Sequence, residues 1–210
     1  MLCRGDNDDM YMSCLLVGEA KEKHVDARLG TWYSFEVGRT NGKKTDIIRV
    51  LYQEGFPQKD RIRVNLGRKY VITGVMEERV YKEDKNRKDL SLIINHIEST
   101  NKHTPSQAIV SVVTKKKTTR RFERIPGKVT FTAEIPKLRK SMDATTFVIN
   151  LAAWRALGTF LEGLEDGKKY LFIGRPIRRY FKIGDVEKSL VEISLSNIKE
   201  VSDGENEVPL

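Results

Sequence analysis

The chain has 210 residues, 39% of them apolar and 32% charged, with two cysteines, Cys3 and Cys14, which reads as a globular protein with a charge-rich surface and excludes a disulfide framework. Its net charge of +9 is uneven: residues 1–101 carry 18 Lys+Arg against 16 Asp+Glu, and residues 102–210 carry 20 against 13. The excess in the second half points to a polyanionic partner, with a merely solvated basic surface as the alternative.

In chain order, residues 1–10 are polar and acidic and lack the apolar stretch of a signal peptide. Cys14 to Ala20 (CLLVGEA) reads as a strand with a bulge or a close backbone approach at Gly18. Trp32 to Gly38 alternates, with Tyr33, Phe35 and Val37 on one face and Trp32, Ser34 and Glu36 on the other. Asn41-Gly42 marks a hairpin into a third strand, Thr45 to Tyr52. Tyr70 to Tyr81 and Leu90 to Ser99 complete five strand-like runs. A second series follows: Ala108 to Thr114, Val129 to Ile135, Thr146 to Trp154, Tyr170 to Phe181 and Leu190 to Ile198. Between its third and fourth runs, Leu157, Phe160, Leu161 and Leu164 recur at helical spacing. The first series has Pro57 in that place, which argues against a helix.

The two series are copies. GRKYVITGVMEERVY (Gly67 to Tyr81) aligns without a gap with GKKYLFIGRPIRRYF (Gly167 to Phe181), keeping Gly67, Lys69, Tyr70, Gly74 and Arg79 as Gly167, Lys169, Tyr170, Gly174 and Arg179. A repeat of about 100 residues is a small domain and not a solenoid unit. The expected architecture is all-β: two five-stranded Greek-key barrels of the OB-fold type in tandem, the second with a short helix between strands three and four. The expected divisions are a flexible N-terminus at 1–10, domains at 11–101 and 102–201, and an acidic tail at 202–210.

The segment from Thr146 to Phe181 resembles the heart of bacterial single-stranded DNA-binding proteins. It has a third strand ending in an aromatic, Trp154, then Arg155 and an amphipathic helix. A Gly-Lys turn follows at Gly167-Lys168, then a strand with Gly174-Arg175, Arg178-Arg179 and Phe181. Leu15 to Ala20 is similar to the first strand of that family. The resemblance implies sequence-independent coating of single-stranded DNA in replication, recombination or repair, in the cytoplasm of a bacterium or from a phage or mobile element. It also implies a homodimer, since the family commonly assembles four OB-folds. The C-terminal tip, Val208-Pro209-Leu210, resembles the family's docking tip for replication and repair proteins, a frayed terminus being the other reading.

Binding single strands needs aromatic faces for bases and cations for phosphates. The stacking candidates are Trp154, Phe181, Tyr81, Tyr52, Trp32 and Phe122. For Trp154 the alternative is a core position; if Phe147, Ile149, Leu151 and Ala153 fill the barrel, it points to the opposite face. The phosphate candidates are Lys115, Lys116, Lys117, Arg120, Arg121, Lys137, Arg139 and Lys140 in the turns, with Arg155, Arg178, Arg179 and Arg79. Arg39, Lys43 and Lys44 serve the first repeat more weakly. No metal-ligand spacing links His24, His96, His103 and the cysteines, and no phosphate-binding Gly-rich loop is present, so neither an enzyme nor a cofactor is expected. An RNA-binding protein and a primosome-like scaffold that mainly binds proteins remain alternatives.

Overall fold

The computed structural model describes residues 10–26, 30–38, 45–51, 63–80, 88–121, 125–141, 144–184 and 186–201. The expected hairpin at Asn41-Gly42, the Pro57 segment and the C-terminal tail lie outside them. The chain divides into two compact units, Ser13–Ile109 and Val110–Leu210, and the residues up to Met12 at the start of the first strand group with the second of them; the sequence expectation placed the division at 101/102.

The first unit holds β1 (Tyr11–Asp26), β2 (Gly30–Gly38), β3 (Thr45–Leu51), β4 (Lys69–Val80) and β5 (Lys88–Thr100). Their order is β2-β3-β5-β4-β1, and β1 also pairs with β2, which closes a five-stranded barrel. All pairings are antiparallel except β3 with β5, the Greek-key connectivity of an OB-fold. The alternation of β2 is met: Tyr33, Phe35 and Val37 are buried while Trp32 and Glu36 are half-buried, and Ser34 is buried as well. At Gly18 the backbone approach is close, since a Cβ there would lie 2.9 Å from the Glu36 carbonyl oxygen.

The second unit holds β6 (Gln107–Lys115), β7 (Arg120–Arg121), β8 (Lys128–Ser141), β9 (Ala144–Trp154), the helix α1 (Arg155–Gly163), β10 (Lys169–Ile183) and β11 (Val186–Glu200). The order β6-β10-β11-β9-β8-β7 repeats the first unit's, with β9 and β11 parallel. The two-residue β7 pairs with β8 where the far half of β1 pairs with β2. Val112, Phe131, Leu151, Phe172 and Ile193 fill this barrel at 1% exposure or less. Pro176 sits in β10 beyond Gly174, where the pairing to β6 ends, so the missing N–H removes none of that ladder's bonds.

The residues the two copies share turn out to build the barrel. Gly67 and Gly167 adopt left-handed φ of 75° and 84° in the turn before the fourth strand, where glycine carries no Cβ penalty. In each, the glycine N–H donates 2.8 Å to a carbonyl, that of Ala20 within β1 or of Lys116 just past the end of β6. Tyr70 and Tyr170 are buried, and each hydroxyl accepts from the N–H five residues back, Asn65 at 2.8 Å and Glu165 at 3.1 Å. Gly74 and Gly174 sit where the register with the fifth strand shifts.

The helix forms where its spacing predicts, yet its buried face differs from the expected one. Gly158 and Leu161 are buried and Phe160 is 55% exposed. The absence of a side chain at Gly158 lets the helix settle on β8: a Cβ would stand 3.1 Å from Val129. The C-terminal end of α1 is satisfied from another element. Lys116, 5% exposed, donates through Nζ to the carbonyls of Glu162 and Leu164 and pairs with Asp166 at 2.9 Å. A cation is favourable there because it meets orphan carbonyls and the negative end of the helix dipole. Lys116, a phosphate candidate in the sequence, thus has its ammonium directed inside the unit. Lys116→Ala is expected to lower stability by about 2 kcal/mol in urea unfolding, while exposed Lys117→Ala stays within about 0.5 kcal/mol.

Candidate nucleic-acid interface

Alternation along β8 and β9 sorts the second unit's side chains into two faces. Phe147, Ile149, Leu151 and Ala153 point into the core, all at 5% exposure or less. On the other face, cross-strand pairs run Glu134↔Val148, Thr132↔Asn150, Thr130↔Ala152 and Lys128↔Trp154. Trp154 therefore lies on the face opposite the core, as its position in the sequence requires, and is half-buried there.

Exposure falls along this face. Its open end is a groove of about 520 Å³ lined by Thr130, Thr132 and Glu134 of β8, Val148 and Asn150 of β9, and Lys117, Thr118 and Arg120 before and within β7. Asn150 accepts from the Thr132 hydroxyl at 3.2 Å through Oδ1, which leaves its amide N–H groups as donors to other partners. Val148, 55% exposed, gives the groove an apolar patch. Trp154 stands four residues beyond Asn150, ~13 Å along the strand. There the Lys128 ammonium lies 5.6 Å from the indole centroid and forms a buried ion pair with Glu192 of β11 at 2.7 Å. A cation over an indole face is attracted to the ring and holds its orientation.

Arg155, next in sequence, is exposed and has φ of 52°, with its N–H donating 2.7 Å to the Gly127 carbonyl. A left-handed arginine costs about 1–2 kcal/mol, and such strain concentrates at functional sites. Here it turns the chain from strand to helix directly after Trp154.

The basic candidates separate by register. Arg120 pairs with Thr130 and lines the groove. Arg121 pairs with Val129 on the other side, and both its Nε and Nη2 donate to the Glu162 carboxylate of α1. Arg121 thus ties β7 to the helix, and the bond holds the Glu162 carboxyl below its usual pKa. Lys117, in the groove, pairs with Glu134 at 3.3 Å. Lys115 is exposed at the end of β6, and Lys137 and Arg178 are half-buried; none of the three lines the groove. Tyr52, Tyr81 and Phe122 lie outside the described residues, as do Arg39, Lys43 and Lys44. So do the side chains of Phe181, Arg79, Arg179, Arg139 and Lys140.

The first unit repeats this ladder with different side chains. His24↔Trp32, Ser34↔Arg49 and Arg49↔Ser91 occupy the register of Arg120↔Thr130, Thr132↔Asn150 and Asn150↔Glu192. Where the second unit has a groove, the first has a stack. The His24 ring lies 3.6 Å from Trp32 at 8°, and the Arg49 guanidinium carbon lies 4.0 Å over the same indole. Two groups that close cannot share one face, so they cover both. Trp32, expected to offer a face to bases, is already sandwiched.

Thr130, Thr132, Glu134, Val148 and Asn150 were not among the sequence candidates. The alternation VTFTAEI carried the signal for β8, but only the register with β9 shows which of its residues stand beside Trp154. Among the described residues no three His, Cys, Asp or Glu gather to hold a metal ion, and no helix is long and apolar enough to cross a membrane.

No protein-family model matches the chain, and no curated protein matches it. Solved structures do. The chain is similar to the crystal structure of the wild-type single-stranded DNA binding protein from Thermus aquaticus, with a TM-score of 0.58 and 13% identity over 95% of this chain and 97% of that one. A deletion mutant of the same protein matches with a TM-score of 0.59 and 13% identity, over 95% and 99%. At 13% identity the likeness is one of fold: the chain has an SSB-like, all-β OB architecture along nearly its whole length.

Proposed function

We propose that the chain binds single-stranded DNA without sequence preference through the β8–β9 face of the second unit. The observation that carries this reading is the alignment, on one face, of Trp154 with a groove that presents Lys117 and Arg120. Aromatic faces and cations in one track suit a stacked, charged strand. The solved structures of the same fold belong to a single-stranded DNA binding protein, which supports the same partner. Coating a strand in replication, recombination or repair, as a homodimer, is the role such an activity serves.

Quenching of intrinsic tryptophan fluorescence by oligo-dT at two salt concentrations tests this. Each stacked base is worth about 1–3 kcal/mol, so Trp154→Ala is expected to weaken binding by about fivefold to 150-fold and to abolish most of the quench. Affinity should fall steeply with salt as counterions leave the strand. Trp32→Phe should keep the quench, because His24 and Arg49 hold that ring. No quench and no salt-dependent affinity in wild type would sink the proposal. Oligo-U in place of oligo-dT separates RNA from DNA, since stacking and phosphate contacts do not read the 2′-hydroxyl.

A second reading is favoured by the Trp32 stack: the first unit serves as a scaffold or docking domain and the second does the binding.

A further inference from the structure

We infer that Glu134 competes with the strand for Lys117, so that one carboxylate inside the groove sets both the affinity and the salt dependence of binding. The inference rests on the single-strand reading above and adds a regulator to that site. A groove built for a polyanion has no electrostatic use for an acid, yet Glu134 lines it beside Lys117 and Arg120. It is not there for lack of space elsewhere: both oxygens are engaged. Oε1 accepts from the Thr146 hydroxyl of β9 at 2.8 Å, and Oε2 meets the Lys117 ammonium at 3.3 Å. These contacts, the Thr146 bond foremost, hold the Glu134 carboxyl below its usual pKa, so it is charged throughout the neutral range.

The geometry makes an exchange simple. Lys117 is 60% exposed and Glu134 49%, so the ammonium can swing from carboxylate to phosphate without unpacking any core. The carboxylate stays behind, fixed by Thr146. In the free protein Lys117 is already neutralised, and a phosphate that takes it gains one contact while Glu134 loses one. The strand thus gains little from Lys117 and is repelled by the carboxylate left in the groove.

The ion pair of Arg121 with Glu162 supplies a matched control. It involves the same charges, but register turns it towards α1 and away from the groove. Removing either acid raises the net charge by the same amount; only one removal frees a groove cation.

The experiment is anisotropy of fluorescein-labelled oligo-dT titrated with the full chain across a salt series, using Glu134→Gln, Glu162→Gln and the pair Glu134→Gln with Lys117→Ala. Glutamine keeps an oxygen for Thr146, so the fold is not at stake. Glu134→Gln is expected to bind about threefold to tenfold tighter at low salt, with a salt slope steeper by about 0.7, the contribution of one phosphate contact on a single strand. Adding Lys117→Ala should return both to the wild-type values. Equal affinity and slope in wild type and Glu134→Gln overturn the inference while leaving strand binding intact. An equal gain in Glu162→Gln overturns it too, because net charge alone would then explain the effect. Absence of binding in every variant overturns this inference and the proposed function together.

Discussion

Glu192→Ala is expected to lower the stability of the second unit by about 3–5 kcal/mol, the usual cost of leaving one partner of a buried ion pair uncompensated. Lys128 is 6% exposed and Glu192 2%, so neither charge can recover its hydration by a small side-chain movement. The pair joins β8 to β11 across β9, which means its loss acts on three strands at once. Lys128→Met combined with Glu192→Leu is expected to regain much of the loss, since a buried pair replaced by apolar groups of like volume is often neutral. Urea unfolding of the two variants gives both numbers. The double variant also separates stability from binding: it removes the cation over the Trp154 ring, so oligo-dT quenching should weaken modestly in a protein that remains folded. A single variant as stable as wild type would show that water reaches the pair.

Gly174→Ala is expected to cost about 3 kcal/mol or more, and Gly74→Ala no less. A Cβ at Gly174 would meet the Ser194 carbonyl oxygen at 2.4 Å, and one at Gly74 would meet the Ile93 carbonyl oxygen at 1.9 Å. Both contacts are with backbone, which can yield only by breaking the ladder to the fifth strand, and overpacking of this kind typically costs about 1–3 kcal/mol and occasionally more. Gly167→Ala is the internal comparison. Nothing lies within 4 Å of its Cβ position, so it should cost only the left-handed conformation, about 1–2 kcal/mol. Thermal unfolding of the three variants should therefore rank Gly167→Ala mildest. The reverse order would mean that the fourth strand relaxes around an added methyl.

These glycines also explain why the fold was legible in the sequence and the site less so. Gly67, Tyr70 and Gly74 with Gly167, Tyr170 and Gly174 are turn, anchor and bulge, demanded by backbone geometry in both units. Strand alternation likewise fixed which face Trp154 takes. Partner choice was not legible: Lys116, Lys117, Arg120 and Arg121 look alike in a basic run, yet they cap a helix, face an acid, line a groove and brace the helix in turn. For Arg120 and Arg121 that sorting follows from a two-residue strand and its register with β8, and for Lys116 from its contacts with the end of the helix, which no local pattern encodes. Trp32 shows the same limit. Its place on the face opposite Tyr33, Phe35 and Val37 suits a stacking residue, and only pairing across three strands brings His24 and Arg49 onto it. Phe160 has the spacing of the helix's buried stripe, yet the small Gly158 takes the contact.

In each barrel the third and fifth strands meet in a short parallel seam. In the second unit the seam consists of Glu192↔Asn150, Ile193↔Leu151 and Ser194↔Ala152, against fourteen pairs between β10 and β11. A ladder that short is where thermal breathing should begin, and amide hydrogens along 150–152 should exchange with deuterium sooner than those of β10. The same three residues of β9 lead directly to Trp154. A strand lying across the β8–β9 face would hold the seam shut, so ligand should slow exchange there more than anywhere else in the unit, and the barrel's loosest joint would double as its reporter of occupancy.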